Sequence, residues 1–160
     1  MTTAAEVDVI AKALCKAIKG SQNAKNISKY QSILIQAFPM LPAAKVDMPR
    51  FGMSFQPWHS WTTPNTSPEW WSGNNKVKHE RDENFRQANL KNVLNAISAL
   101  LVLLLLLHSK DSRYFPQIPR LFVPHMFASR EGNLLRLLIP DDAQLPSNWG
   151  QTTTSANQRP

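Results

Sequence analysis

Apolar residues recur along this chain with changing periods, and each period predicts an element. Near the start Val7, Ile10, Leu14, Ala17 and Ile18 stand three and four apart, the spacing of one helix face. Thr3 and Glu6 form a capping-box pair ahead of them. Gly20 is the natural stop, so the first helix is expected over about residues 4–19. Lys12, Lys16 and Lys19 line another face, either as a solvated flank or as a stripe tracking phosphates. After a polar loop, Tyr30, Ile33, Leu34, Ala37 and Phe38 repeat the helical spacing. Ser28 is a candidate cap, and Pro39 and Pro42 end this second helix, expected over 28–38.

The helical period then disappears. Residues 39–66 are rich in proline and aromatics (Pro49, Phe51, Phe55, Pro57, Trp58, Trp61, Pro64), and read as a long loop with a short strand within 50–55. Four tryptophans fall between positions 58 and 71. They suit either a platform on which bases stack or anchors that pin a long loop onto a helical core, the reading the pattern favours.

Helical signals return at Ser67-Pro68-Glu69, which combine a capping side chain, a proline for the first helical position and an early acid. A helix over 68–79 places Trp70, Asn74, Val77 and Arg81 along one side, while Gly73 weakens it by about 1 kcal/mol relative to alanine. A break in the charged stretch 80–83 lets Asn84 and Gln87 start a further helix, expected over 84–107. Its stripe is Phe85, Ala88, Asn92, Ala96, Ala99 and Val102, with Leu90, Val93, Leu94, Ile97 and Leu100 beside it. From Ala99 on it is apolar all round, as a central or a membrane helix would be. The uninterrupted run, residues 99–107, is well short of the roughly 20 residues a bilayer needs. A central core helix is the favoured reading and a membrane span the lesser one.

Beyond it, apolar runs at 121–123 and 134–139 flank the turn-forming cluster 129–133, a hairpin signal in which Pro124 marks an edge strand. Residues 146–160, ending in QTTTSANQRP, read as a disordered tail. The expected fold is therefore mainly α: about four helices bundled around the apolar helix 84–107, with a small C-terminal β-hairpin. Residues 1–145 would form a single domain.

Composition narrows the chemistry. A net charge of +7 over 160 residues permits an acidic partner, although the 18 basic residues form no long run. Cys15 is the single cysteine, which excludes an intramolecular disulfide and a cysteine metal cage. The N-terminus lacks the apolar core of a signal peptide, and a cytoplasmic setting is expected. Phosphate-loop, zinc-protease and nucleophile-elbow motifs are absent. The histidines at 59, 79, 108 and 125 lack metal-site spacing, so neither metal nor cofactor is expected.

One constellation stands out. Trp70 and Trp71 are followed by Asn74, Asn75, Lys76, Lys78, His79 and Arg81. Asn75, Lys76, Lys78 and Arg81 suit a phosphate or nucleic acid, with Asn74, Trp70 and Trp71 in support. His79 is the one candidate catalytic residue, since its ordinary pKa of about 6.5 suits proton transfer. The structural alternative has His79 capping helix carbonyls and the cations pairing with Glu80, Asp82 and Glu83 on a solvated turn.

The string SPEWW…NNKVKHER…NLKNVLNAISALLVL resembles a set of uncharacterised bacterial proteins with a WW…YNxVKHxR core, about a quarter of this chain. A tyrosine commonly stands there where Asn74 stands here. The NNKVKH segment is also similar to the signature of HEPN-type helical proteins, an arginine and a polar residue followed closely by a histidine. His79 and Asn75 match, and Asn74 takes the arginine's position. The resemblance implies a small helical module acting on RNA or nucleotides, possible homodimerisation and, in its ribonuclease members, metal-independent cleavage at a dimer cleft. A protein-interaction or assembly subunit without nucleic-acid binding is the alternative from another class.

Overall fold

The computed structural model describes residues 2–20, 24–79, 86, 89–112, 114–115, 119–125, 128–131, 134–137 and 143–150. Helix α1 spans Thr2–Lys19, so Thr3 lies inside its first turn and does not cap it. Gly20 ends it with a φ of 69°, a left-handed conformation that glycine adopts without a Cβ clash. Val7, Ala11, Leu14, Cys15 and Ile18 are buried. Burial pushes the Cys15 thiol up to about 12, which leaves a packed and unreactive side chain.

Helix α2 spans Ile27–Ala37 and starts at Asn26, whose side chain accepts from the Lys29 N–H at 3.0 Å. Asn26 thus replaces Ser28 as the cap; Ser28 already lies within the helix. The Tyr30 hydroxyl donates to Asp8 at 2.7 Å and ties α2 to α1. Burial first, and the neighbouring Asp8 second, raise the tyrosine's ionisation well above its ordinary value.

Helix α3 spans Glu69–His79 and helix α4 spans Leu90–His108. The cap of α4 is Asn89, in an extended conformation and accepting from the Asn92 N–H at 2.9 Å. The start expected at Asn84 is corrected to Leu90; Asn84, Phe85 and Ala88 themselves lie outside the described residues. One side of α4, including Asn92, Ala96, Ala99, Val102, Leu103 and Leu106, is buried where the helix packs on α1 and α3. By length and composition α4 is apolar enough to cross a membrane, and 44% of its apolar window is buried inside the protein.

The stretch 39–66 carries more structure than a loop. Strand β1 (Lys45–Met48) pairs antiparallel with β2 (Met53–Phe55) across a 3₁₀ turn at Pro49–Phe51. The strand expected within 50–55 therefore narrows to its second half, with Gly52 at a φ of 59° turning the corner. Four further strands follow among the described residues: β3 (Tyr114–Phe115), β4 (Val123–His125), β5 (Ala128–Glu131) and β6 (Leu134–Leu137).

Two three-stranded sheets result, ordered β2-β1-β4 and β3-β6-β5. The C-terminal hairpin is β5 with β6. The run around Val123 is not its partner; it lies at the edge of the first sheet, where Pro124, opposite Val46, costs the sheet least. Residues 146–150, expected as part of a tail, pack instead. Trp149 is buried, lies edge-on to Phe38 at 6.1 Å and donates to the Ser109 hydroxyl at 3.0 Å. The fold is mostly helical, with small antiparallel sheets.

Candidate functional site

Helix α3 begins on the carbonyl of Pro68, which accepts from the N–H groups of Trp71 and Ser72, both at 3.0 Å. Pro68 is therefore one step outside the helix it was expected to open. At the second position of the helix, Trp70 is only 4% exposed, and its indole N–H donates to the Pro57 carbonyl at 2.8 Å. Its ring meets Trp58 edge-on at 5.4 Å, and Trp58 meets Trp61 at 4.3 Å. Gln31 of α2 donates to the Thr63 carbonyl at 2.8 Å, holding the turn that carries Trp61 against the helices. The tryptophans at 58, 61 and 70 are core anchors, closed to a stacking base. Trp71 is partly buried, edge-on to Trp70 at 5.8 Å.

Gly73 is also buried and Asn74 half-buried, so the Trp70–Gly73 side of α3 is the packed one. The backbone continues helical through Asn75, Lys76, Lys78 and His79. These four fall within five consecutive residues, in the last turn and a half. By helical register positions 75, 76 and 79 lie across the helix from position 70. Arg81 lies outside the described residues, as do Glu80, Asp82 and Glu83. The cluster thus sits at the negative end of the helix dipole, which favours cations.

At the opposite end of α3 is a cavity of about 190 Å³ whose polar lining includes Gln56, Ser60, Glu69, Lys91, Asn92 and Asn95. Glu69 and Lys91 pair at 3.2 Å. The buried Ser60 hydroxyl has no partner among protein atoms. With about 1.5 Å of rise per residue, this cavity and His79 are roughly 15 Å apart. The two do not form one site.

A third polar group escaped the sequence reading. His125 Nε2 stands 2.9 Å from Asp47 Oδ2, and Lys45 Nζ stands 3.6 Å from Oδ1. The register of the first sheet brings them together: Lys45 faces His125 and Asp47 faces Ser54. A hydrogen bond from Ser54 chiefly holds the Asp47 carboxyl below the usual carboxylate range, partial burial opposes it, and the charges of His125 and Lys45 add to it. The carboxylate is central here, whereas a nucleophilic triad needs the imidazole in the middle. This group staples β4 to β1. The alternation Lys45-Val46-Asp47-Met48, with Val46 and Met48 buried, is the strand signal that was available. Nothing in the sequence marks His125, about 80 residues away, as its partner.

Among the described residues no group of three or more histidine, cysteine, aspartate or glutamate side chains is placed to hold a metal ion. Comparison with family models, curated proteins and solved structures returns no match.

Proposed function

We propose that this chain is a HEPN-like helical module that contacts the phosphates of an RNA or nucleotide through the C-terminal end of α3. Asn75, Lys76, Lys78 and His79 make the contact, with Arg81 following them in sequence and Asn74 and Trp71 in support. The observation that carries the reading is the anchoring of α3: with Trp70 and Gly73 held in the core, the cluster stands at the end of a fixed helix. Helices α1 and α3 pack on α4 and hold that end in place, in a cytoplasmic protein.

Binding on this reading is electrostatic. The negative helix end by itself repels a phosphate, so the lysines and His79 must overcome it. With three tryptophans committed to the core, stacking adds little. Affinity should therefore fall steeply with salt.

The test is fluorescence anisotropy of a labelled single-stranded RNA, with the full chain titrated in at rising salt. Binding at low salt that weakens as salt increases, and weakens uniformly in Lys76→Ala and Lys78→Ala, is expected. Undetectable binding at low salt, or binding indifferent to salt, ends the reading. The same RNA incubated with a metal chelator and run on a gel separates binding from cleavage. Cleavage lost in His79→Ala would make the protein a metal-independent ribonuclease. A second role, in assembly, has its own observation: Leu90, Val93 and Leu104 of α4 are exposed in the described structure.

A further inference from the structure

The cavity between the first turns of α3 and α4 lies apart from the basic cluster and differs from it in chemistry. Its volume of about 190 Å³ holds roughly six waters. That is below the range of pockets for drug-sized ligands, too small for a nucleotide or a peptide and enough for one small molecule. One wall is rigid: Pro57 lies against the ring of Trp70, whose indole N–H is held by the Pro57 carbonyl at 2.8 Å. The opposite wall is polar and uncharged, with Ser60, Asn92 and Asn95. Asn92 is only 8% exposed, and the Asn95 amide is oriented by donating to the Lys91 carbonyl at 2.9 Å. The Ser60 hydroxyl is buried with no partner among protein atoms, a cost that a polar occupant of the cavity would remove.

We propose that this cavity binds a free α-amino acid with a small, uncharged polar side chain, such as asparagine or serine. Charge complementarity selects the class. Glu69 and Lys91, the charged residues of the lining, pair at 3.2 Å and cancel, so the site has no net charge to offer a simple ion. A phosphate that met Lys91 would meet Glu69 as well. What the pair does offer is a carboxylate beside an ammonium. An α-amino acid carries the same two groups on one carbon and fits them head to tail, its carboxylate on Lys91 Nζ and its ammonium on the Glu69 carboxylate. Both ligand charges then make charge-assisted hydrogen bonds.

Opening the pair to admit the ligand costs little. The Lys91 and Glu69 side chains are 69% and 74% exposed, and an ion pair in water contributes little by itself. The amide and hydroxyl wall decides the rest. It presents donors and acceptors together, which an apolar side chain would leave unpaired and an amide or hydroxyl side chain matches. A neutral sugar satisfies that wall but leaves the charges of Glu69 and Lys91 unused. The walls stand on a core-anchored tryptophan and on the first turns of two helices, so binding orders little that is not already ordered. The inference does not depend on the phosphate-binding reading, whose residues lie at the other end of α3.

Isothermal titration calorimetry of the full chain with L-asparagine and with L-serine tests it. Saturable binding of at least one is expected, weakened about tenfold or more in both Lys91→Met and Glu69→Gln. Both positions are exposed, the Asn95 bond goes to the Lys91 backbone and survives the substitution, and circular dichroism checks that the variants fold. N-acetyl-L-asparagine amide keeps the side chain but carries no charge, and should bind about tenfold or more weakly than L-asparagine. Equal binding of the blocked compound would overturn the zwitterion. Amino-acid binding undiminished in both variants would overturn the site. No binding of either amino acid into the millimolar range overturns the proposal, whether or not glucose or inorganic phosphate binds instead. Absence of RNA binding with amino-acid binding intact would strike the proposed function alone.

Discussion

Trp70 shows how one side chain fixes the placement of the candidate site. Its indole N–H satisfies the Pro57 carbonyl at 2.8 Å in a buried setting, and its ring fills the space beside Trp58. Trp70→Phe keeps most of the apolar surface but strands that carbonyl, so urea denaturation should show a loss of about 2 kcal/mol. Asp47 is the other informative residue. Its carboxyl is held below the usual range by Ser54, against partial burial, with help from His125 and Lys45. A depressed carboxylate stabilises the fold above its unfolded pKa, about 3.9, and loses that contribution as pH falls through the lower, folded value. Wild type should therefore exceed Asp47→Asn in stability by a constant margin above about pH 5. That margin should shrink as thermal melts are taken below about pH 4. A difference independent of pH would mean that Asp47 acts only by its shape.

Among the elements, those with the most regular apolar spacing were legible in the sequence, and their edges were less so. The helices expected at 4–19, 28–38 and 68–79 lie within two residues of α1, α2 and α3. Their boundaries moved because several polar residues competed for each cap. Asn26 displaced Ser28, and Asn89 caps α4 although Asn84 was followed by a capping-box glutamine. Asn89→Ala should lower stability by about 1 kcal/mol, measured by chemical denaturation; no change would return the start of α4 to an earlier residue. The sheets were harder to read. Pairing of β1 with β4 joins residues about 80 positions apart, and two- to four-residue strands carry too few alternations to set a register. The apolar-all-round character of α4 pointed to a buried helix, yet Leu90, Val93 and Leu104 are exposed in the described structure, because composition does not say how many partners a helix has.

Over the whole molecule, a net charge of +7 permits two different readings of nucleic-acid affinity. Charge spread over the surface would bind any polyanion weakly and from every side. A site concentrates the effect. The candidate site itself was legible as a dense local string, Asn75-Lys76-Val77-Lys78-His79, and the structure adds the fixed helix end on which the string stands. Lys12 and Lys16 on α1 provide the internal control. They are exposed, equal in charge to Lys76 and Lys78, and Lys12 is already engaged with Asp8. The most direct measurement is anisotropy of single-stranded RNA at low salt with two double variants of equal net charge. These are Lys76→Glu/Lys78→Glu and Lys12→Glu/Lys16→Glu. A site at the end of α3 predicts that the first weakens binding by about a hundredfold, while the second stays within a few-fold of wild type. Equal losses in the two variants, or none in either, would contradict it.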